Sequence, residues 1–472
     1  MTTVEDAIDT VAALPAPVGA QKDVLALAAN GHAVVLGTAG SGKTTMAVLR
    51  ALHLSDKTCS HFGKTLLVTY NKSLLAYLEH MLPAGIYDLE VRNFHKFARG
   101  YLNSRGRMTG NCILGPDRKR TLILAAVEAI RATRGDSVLE KPDDFFLSEL
   151  TWIAQNGYQD RDAYLSANRA GRGVALPEGS RSTVWEVRDV YLRLRDKEGK
   201  TYDWDDLASE VVAELERDDG DRLYRHVVID EGQDFSPEML RSLALAIRDE
   251  GCLTFFGDVA QQIYGRDVSW RAAGLNVPKV WEFTKNYRNS PQIAKLALAI
   301  ADMPYYAEQV DMVAPDEFAD AGPPPTVVKL ENREAQDAFV VEQAKVLGRV
   351  GTVGVLCRRG SDARRIAQRL KGVQYLHPKM PPWRPEGISI GNVHAAKGYE
   401  FQSVILVGLS DDYWPDPMAI ASDGTEEATA IDGRLLYVGV SRARQNLIVT
   451  TTSGLTKLMP ENDGLWLEQT KS

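Results

Sequence analysis

Short, wholly apolar runs alternate along this chain with longer segments of helical period. Ala33–Leu36, Thr65–Tyr70 (TLLVTY), His226–Asp230 and residues 253–257 read as strands of one parallel sheet. Runs near 279–283, 352–357, 388–392, 403–408 and 446–451 read as strands of a second. Helical patterns separate them; Thr45–Leu54 follows the first strand directly, and another helix follows Asn71 and Lys72. This alternation is the α/β signature. Residues 101–200 break it, being mostly helical, with Val184, Val187, Tyr191 and Leu194 on one helical face. Asp316–Pro325, rich in Asp, Ala, Gly and Pro, reads as a linker.

A length of 472 residues exceeds one ordinary core, so two to four domains are expected. The formal net charge of −8 excludes a generic basic binder, and any nucleic-acid contact must come from a local groove. Cys59, Cys112, Cys252 and Cys357 form no CxxC pair, which argues against zinc and iron–sulfur sites and fits a reducing cytoplasm. The acidic N-terminal MTTVEDAIDT has no signal-peptide core, and no apolar run is long enough to span a bilayer, so no membrane partner is expected.

The candidate chemistry sits where strands end. Gly37-Thr38-Ala39-Gly40-Ser41-Gly42-Lys43-Thr44 matches the phosphate-binding loop in its required strand–loop–helix setting, with Thr45 next in the helix. Its glycines let successive N–H groups curl toward a polyphosphate, and the helix N-terminus adds its positive end. Lys43 would reach the β- and γ-phosphates of ATP, and Thr44 would hold Mg²⁺. The strand His226–Asp230 delivers two acids at its carboxyl end. Asp230 would hold Mg²⁺ through water, and Glu231 would polarise the attacking water. Arg169, Arg172 and Arg181 cluster in a Gly-containing loop, either solvated or touching a phosphate backbone. Trp152 and Trp185 read as core.

GTAGSGKT, VTYNK, NFHKF, DEGQD, GDVAQQIYG, NYRNS, HAAKGYEF and YVGVSRA follow one another in an order that resembles superfamily 1 helicases of the UvrD/Rep/PcrA group, from about Gln21 to Leu447. The resemblance implies two RecA-like domains with ATP in the cleft between them, and 3′-to-5′ translocation on single-stranded DNA. It divides the chain into a first RecA-like domain (1–100 and 201–275), a helical accessory insertion (101–200) and a second RecA-like domain (276–472). Gln21 resembles the adenine-reading glutamine, Gln261 the γ-phosphate sensor, Tyr287 the tyrosine stacked on the base and Glu400 the ribose contact. Arg288 and Arg442 resemble the arginines that reach the γ-phosphate from the second domain. For the single strand, Thr69, Asn71, Phe94, His95, Tyr264, Thr284 and His394 resemble contact residues, with a core role for Phe94 left open. Stacking on aromatic rings suits a motor that steps over any sequence.

Departures from the family pattern matter as well. Trp270 stands six residues after Tyr264 rather than almost directly after it, and is either a displaced stacking residue or core. The family's second accessory domain falls before HAAKGYEF. Here Gly351–Leu370 is one strand–helix unit and Val373–Glu386 a Pro-rich loop, so that domain is expected to be missing and autonomous strand separation is in doubt. Gln445–Ser472 leaves no room for a nuclease domain, so a nuclease or regulatory function would come from a protein partner. An ATP-controlled regulator of a partner complex and an RNA-directed helicase stay open as alternatives, as does the oligomeric state. Lys43→Ala is expected to abolish ATP hydrolysis, measured as phosphate release.

Overall fold

The computed structural model describes residue 17 and residues 19–471 apart from 38–40, 71–87, 109, 170–175, 259–269, 271–273, 278, 284–288, 308–321, 377–386 and 398. The expected α/β class with two parallel sheets is what the chain adopts. Strands β1 (Gly31–Gly37), β2 (Thr65–Thr69), β3 (Leu89–Asn93), β4 (Tyr224–Asp230), β5 (Ile247–Asp258) and β6 (Val280–Phe283) form a sheet of order β3-β2-β4-β5-β1-β6. Strands β7 (Thr326–Leu330), β8 (Val353–Cys357), β9 (Gln374–Tyr375), β10 (Ile388–Asn392), β11 (Phe401–Val407), β12 (Ala443–Thr451) and β13 (Leu467–Lys471) form the other, of order β13-β7-β12-β11-β8-β10-β9. All pairings between these strands are parallel.

Central strands such as β2 (TLLVT) and β8 (VGVLC) are buried at every position. Helices cover both faces of such strands, so side chains of either parity lose water, and the apolar runs are continuous rather than alternating. Helix Lys43–Leu54 packs Met46, Ala47, Val48, Ala51 and Leu54 against one face of the first sheet. Helix Leu207–Arg217 packs against the other.

Strand β6 corrects the sequence reading, which assigned residues 279–283 to the second sheet. It pairs with β1, bringing Phe283 opposite Gly37, and Phe283 is buried in the cluster beneath Lys43–Leu54. The first sheet therefore extends past the expected boundary at 275. Asn289 already belongs to the second, donating through Nδ2 to the carbonyls of Ser441 and Ala443.

The helical insertion has an apolar cluster of its own, running from Leu114 to Tyr191 and including Phe146, Ile153 and Trp185. Its two ends lie side by side, because Leu114 N–H donates to Tyr202 O and Tyr202 N–H to Cys112 O. The arginines once read as a solvated or phosphate-facing loop turn inward. Arg169 donates to Glu149 at 2.9 and 2.7 Å, and Glu149 also accepts from Tyr164 Oη at 2.9 Å. Arg181 donates to the carbonyls of Leu165, Ala167 and Leu176. Arg172 lies outside the described residues. Trp185 is core as expected, stacked on Tyr164 at 5.8 Å, with Trp152 packed beside it.

Strands β9 and β10 are neighbours, with Gln374 opposite Ser389 and Tyr375 opposite Ile390. Residues 377–386, outside the described set, thus leave and rejoin one sheet, and so short a segment cannot bury a core. Among the described residues no helix is long and apolar enough to cross a membrane.

Glu149→Ala leaves the Arg169 guanidinium buried without its counter-charge. A loss of about 3–5 kcal/mol is expected in urea unfolding, as for other broken buried pairs; an unchanged midpoint would contradict the inward role of Arg169.

Candidate active site and nucleic-acid interface

Parallel register brings the carboxyl ends of the first-sheet strands to one edge. Thr69 stands opposite Asp230 and Asn93, and Gly37 opposite Phe283. The loop that follows Gly37 leads into helix Lys43–Leu54, whose N-cap Gly42 has φ +83°. Any Cβ there would be strained, and it would stand 2.9 Å from Gln21 Nε2. Gln21 itself donates through Nε2 to Ser41 O at 2.9 Å, so the helix Ala20–Leu25 is docked on this loop. Lys43 Nζ donates to Gly37 O at 2.9 Å, and Thr44 Oγ1 to Asp230 Oδ1 at 3.3 Å. Thr45 is half-buried in the same first turn, and Thr38, Ala39 and Gly40 lie outside the described residues.

Two adjacent carboxylates end β4 in different electrostatic settings. Burial, reinforced by the neighbouring Glu231 charge, pushes Asp230 up to about 7. Its Oδ2 is buried and has no hydrogen-bond partner. Thr44 Oγ1 and Asp230 together are hard oxygen donors that fit a small divalent cation. Burial also opposes ionisation of Glu231, but Lys397, Arg442 and Lys43 outweigh it and hold this acid below the usual carboxylate range. Glu231 accepts from Gln233 Nε2 at 2.5 Å and has φ +53°, the sole non-glycine positive φ among the described residues. Backbone strain of this kind persists where packing over-determines it; here a bulkier residue at Gly232 would collide with the Phe255 ring.

The cations around Glu231 come from both sheets. Lys43 starts the helix after β1, whereas Lys397 precedes β11 and Arg442 ends the helix Thr425–Ser441. Arg442 is 2% exposed and donates to Val438 O, Tyr399 O and Ser441 Oγ, which ties it to the segment bearing Glu400. Lys397 pairs with Asp234, joining the second sheet to the DEGQD turn of the first. Sequence reasoning missed Lys397 and Asp234, although both lie inside quoted motifs; only the packed sheets reveal that they meet.

The interface residues divide. His95 lies at the open end of β2 and β3, its ring 5.6 Å from Tyr70 and 5.3 Å from Trp204, with Arg99 5.9 Å over the Trp204 ring. Tyr70 is 39% exposed. Tyr70, Arg99 and Trp204 were not singled out from sequence; the isolated Trp in YDWDDL was the available signal. Two expectations are corrected. Phe94 is fully buried among Phe97, Phe235 and the His95 ring, so it supports the cluster from below and offers no face for stacking. Thr69 is also fully buried, so its hydroxyl cannot meet a solvated strand. Trp270 packs edge-on to Phe255 at 4.9 Å, which favours the core of its two readings. His394 is exposed on the turn Val393–Ala396. Asn71, Gln261, Tyr264, Thr284, Tyr287 and Arg288 lie outside the described residues.

A phosphate loop, an acid pair at the end of the adjoining strand region and a second parallel sheet presenting cations to it define a P-loop enzyme of two α/β lobes. The profile of the UvrD/REP helicase N-terminal domain matches residues 19–285, and that of the UvrD-like helicase C-terminal domain matches residues 379–454. The chain belongs to the UvrD-like superfamily 1 helicases, which are ATP-hydrolysing enzymes. It is 23% identical to the ATP-dependent DNA helicase UvrD2 of Mycobacterium tuberculosis, over 90% of this chain and 77% of that protein. It is 22% identical to a probable DNA helicase of Mycoplasma pneumoniae, over 90% and 81%, and 22% identical to DNA helicase IV of Escherichia coli, over 88% and 65%.

Phe94→Ala is expected to lower stability by about 3–5 kcal/mol in urea unfolding, the cost of a large core deletion. Unchanged stability with weakened DNA binding would restore Phe94 to the interface.

Proposed function

We propose that the chain is an ATP-dependent motor that moves 3′ to 5′ along single-stranded DNA, with hydrolysis in the cleft between its two sheets. The observation that carries this reading is the convergence on Glu231 of Lys43 from one sheet and of Lys397 and Arg442 from the other. An acid kept ionised in this way can accept a proton from, and orient, the water that attacks the γ-phosphate in line. Lys43 and the loop N–H groups of residues 37–45 hold the phosphates, Gln21 reads the base, and Glu400 and Tyr287 complete the nucleoside contacts. Thr44 and Asp230 would hold Mg²⁺, which draws charge from the phosphates when bound. Arg442, with Arg288, meets the charge that develops as the bond breaks; because it stands on the second lobe, closure and catalysis become one event. Gln261 reports the γ-phosphate to the strand.

The single strand would lie over Tyr70, His95 and Trp204, with Asn71, Tyr264, Thr284 and His394 beside it. The proposed division is a first RecA-like domain built on β1–β6, a helical insertion and a second RecA-like domain from about residue 289. The names of the relatives, which are DNA helicases, support DNA over RNA. Strand separation is assigned to conditions that supply what the missing accessory domain contributes, a protein partner among them.

The test is ATP turnover with no nucleic acid, with single-stranded DNA and with RNA. Strong stimulation by DNA alone is expected. Equal turnover in all three would overturn the motor in favour of an ATP-controlled regulator, and a preference for RNA would redirect it. Arg442→Ala should lower DNA-stimulated turnover by roughly 10³-fold, as for other arginine fingers, with a much smaller change in ATP affinity. Turnover equal to wild type would remove Arg442 from the chemistry.

A further inference from the structure

Trp204 is gripped from behind. The residues on either side of it, Asp203 and Asp205, both bind Lys119 Nζ, at 3.0 and 2.6 Å. Lys119 stands on helix Pro116–Arg131 of the insertion, and its side chain is 12% exposed against 2% for Asp203. A second insertion helix, Asp143–Gln155, supplies Thr151, whose Oγ1 donates to Asp205 at 2.8 Å. A third, Glu178–Lys197, supplies Tyr191, which donates to Asp203 at 2.6 Å, and Arg195, which pairs with Asp206. Within the segment, Asp205 N–H donates to Asp203 Oδ1 and Asp203 N–H to Asp206 Oδ2, at 2.8 and 3.1 Å. The same segment then enters helix Leu207–Arg217, whose apolar face is part of the first-sheet core.

We infer that the Asp203–Asp206 turn is a positioning device through which the helical insertion sets the orientation of the Trp204 ring beside His95, with Lys119 and Asp205 as its principal members. The inference rests on the reading above that Trp204 is part of the single-strand track. Three insertion helices hold the carboxylates and the first lobe holds the indole side, so a displacement of the insertion relative to the first sheet is transmitted to the ring. Buried ion pairs suit this task, since removing one partner strands the other, and intermediate geometries are therefore disfavoured. Lys119, Thr151 and Asp205 act on DNA through Trp204 without touching the nucleotide.

The experiment is a double-mutant cycle between Asp205→Asn and Trp204→Ala, read as the oligo(dT) concentration that half-saturates ATPase stimulation. Trp204→Ala should raise that concentration roughly five- to a hundredfold, the range for loss of one stacked base. Asp205→Asn should raise it by at least about threefold, above the error of such cycles, with the DNA-free rate and the KM for ATP within about twofold of wild type. In the Trp204→Ala background Asp205→Asn should add nothing, because its target ring is gone. Lys119→Met should follow Asp205→Asn. If Lys119→Met does not fold cooperatively, Thr151→Val, which removes one hydrogen bond at nearly constant shape, carries the same comparison.

A full, additive effect of Asp205→Asn in the Trp204→Ala background would overturn the positioning role and assign Asp205 to general stability. So would an unchanged half-saturation in Asp205→Asn while Trp204→Ala weakens it, and this leaves the track reading intact. No effect of Trp204→Ala alone would remove Trp204 from the track, and the inference with it.

Discussion

A carboxylate at the end of β4 is buried, ionised and neutralised largely from across the cleft. Glu231 is 9% exposed, and an unpaired charge at that depth would be costly. Of the three cations that hold it ionised, only Lys43 comes from its own lobe; Lys397 and Arg442 come from the other. Separating the lobes removes most of that compensation, so the state of the cleft and the protonation of the acid are linked. The Asp234–Lys397 pair is a second connection across the same seam. Asp230, one residue away, is driven in the opposite direction by burial and by Glu231 itself. Adjacent acids whose environments push them apart can divide the work, one holding a cation and one holding a proton acceptor ready.

This arrangement depends on backbone features as much as on charge. Parallel register sets Gly37, Thr69 and Asp230 along one edge of the first sheet. Glu231 leaves the strand in a left-handed conformation, which turns its side chain away from the sheet direction and toward the second lobe's cations. Gly42 reverses the chain at the start of helix Lys43–Leu54 and leaves space for Gln21. Each position carries a residue that local propensity alone would not choose, and each is held by packing from elements distant in sequence.

The helical insertion explains how an acidic chain can carry many arginines without a basic surface. Arg169 and Arg181 satisfy a buried acid and exposed carbonyl ends inside the insertion. Lys119 and Arg195 are spent on the aspartates at the seam. Cations that composition counts as available for phosphate are engaged within the protein, which leaves recognition of a strand to a small aromatic cluster of Tyr70, His95 and Trp204.

Much of this was legible before folding. The central strands announced themselves because burial on both faces demands unbroken apolar runs, and the phosphate loop, Asp230 and Glu231 lie in contiguous motifs. Edge strands were not legible: β3 is half-buried along most of its length and β13 is exposed throughout, so neither needs an apolar run. The membership of β6 was misread because sequence order suggests a boundary, whereas hydrogen bonding to β1 and burial of Phe283 decide it. Phe94 and Thr69 sit in motifs that mark the interface, yet their side chains point into the core, a direction that motif spacing does not encode. By itself the sequence determined the fold class, the phosphate loop and the acid pair, since these rest on local periodicity and adjacent residues. Only the tertiary structure decided which cations face Glu231, which aromatic rings are open and which arginines are engaged, because those depend on distances between residues far apart in the chain.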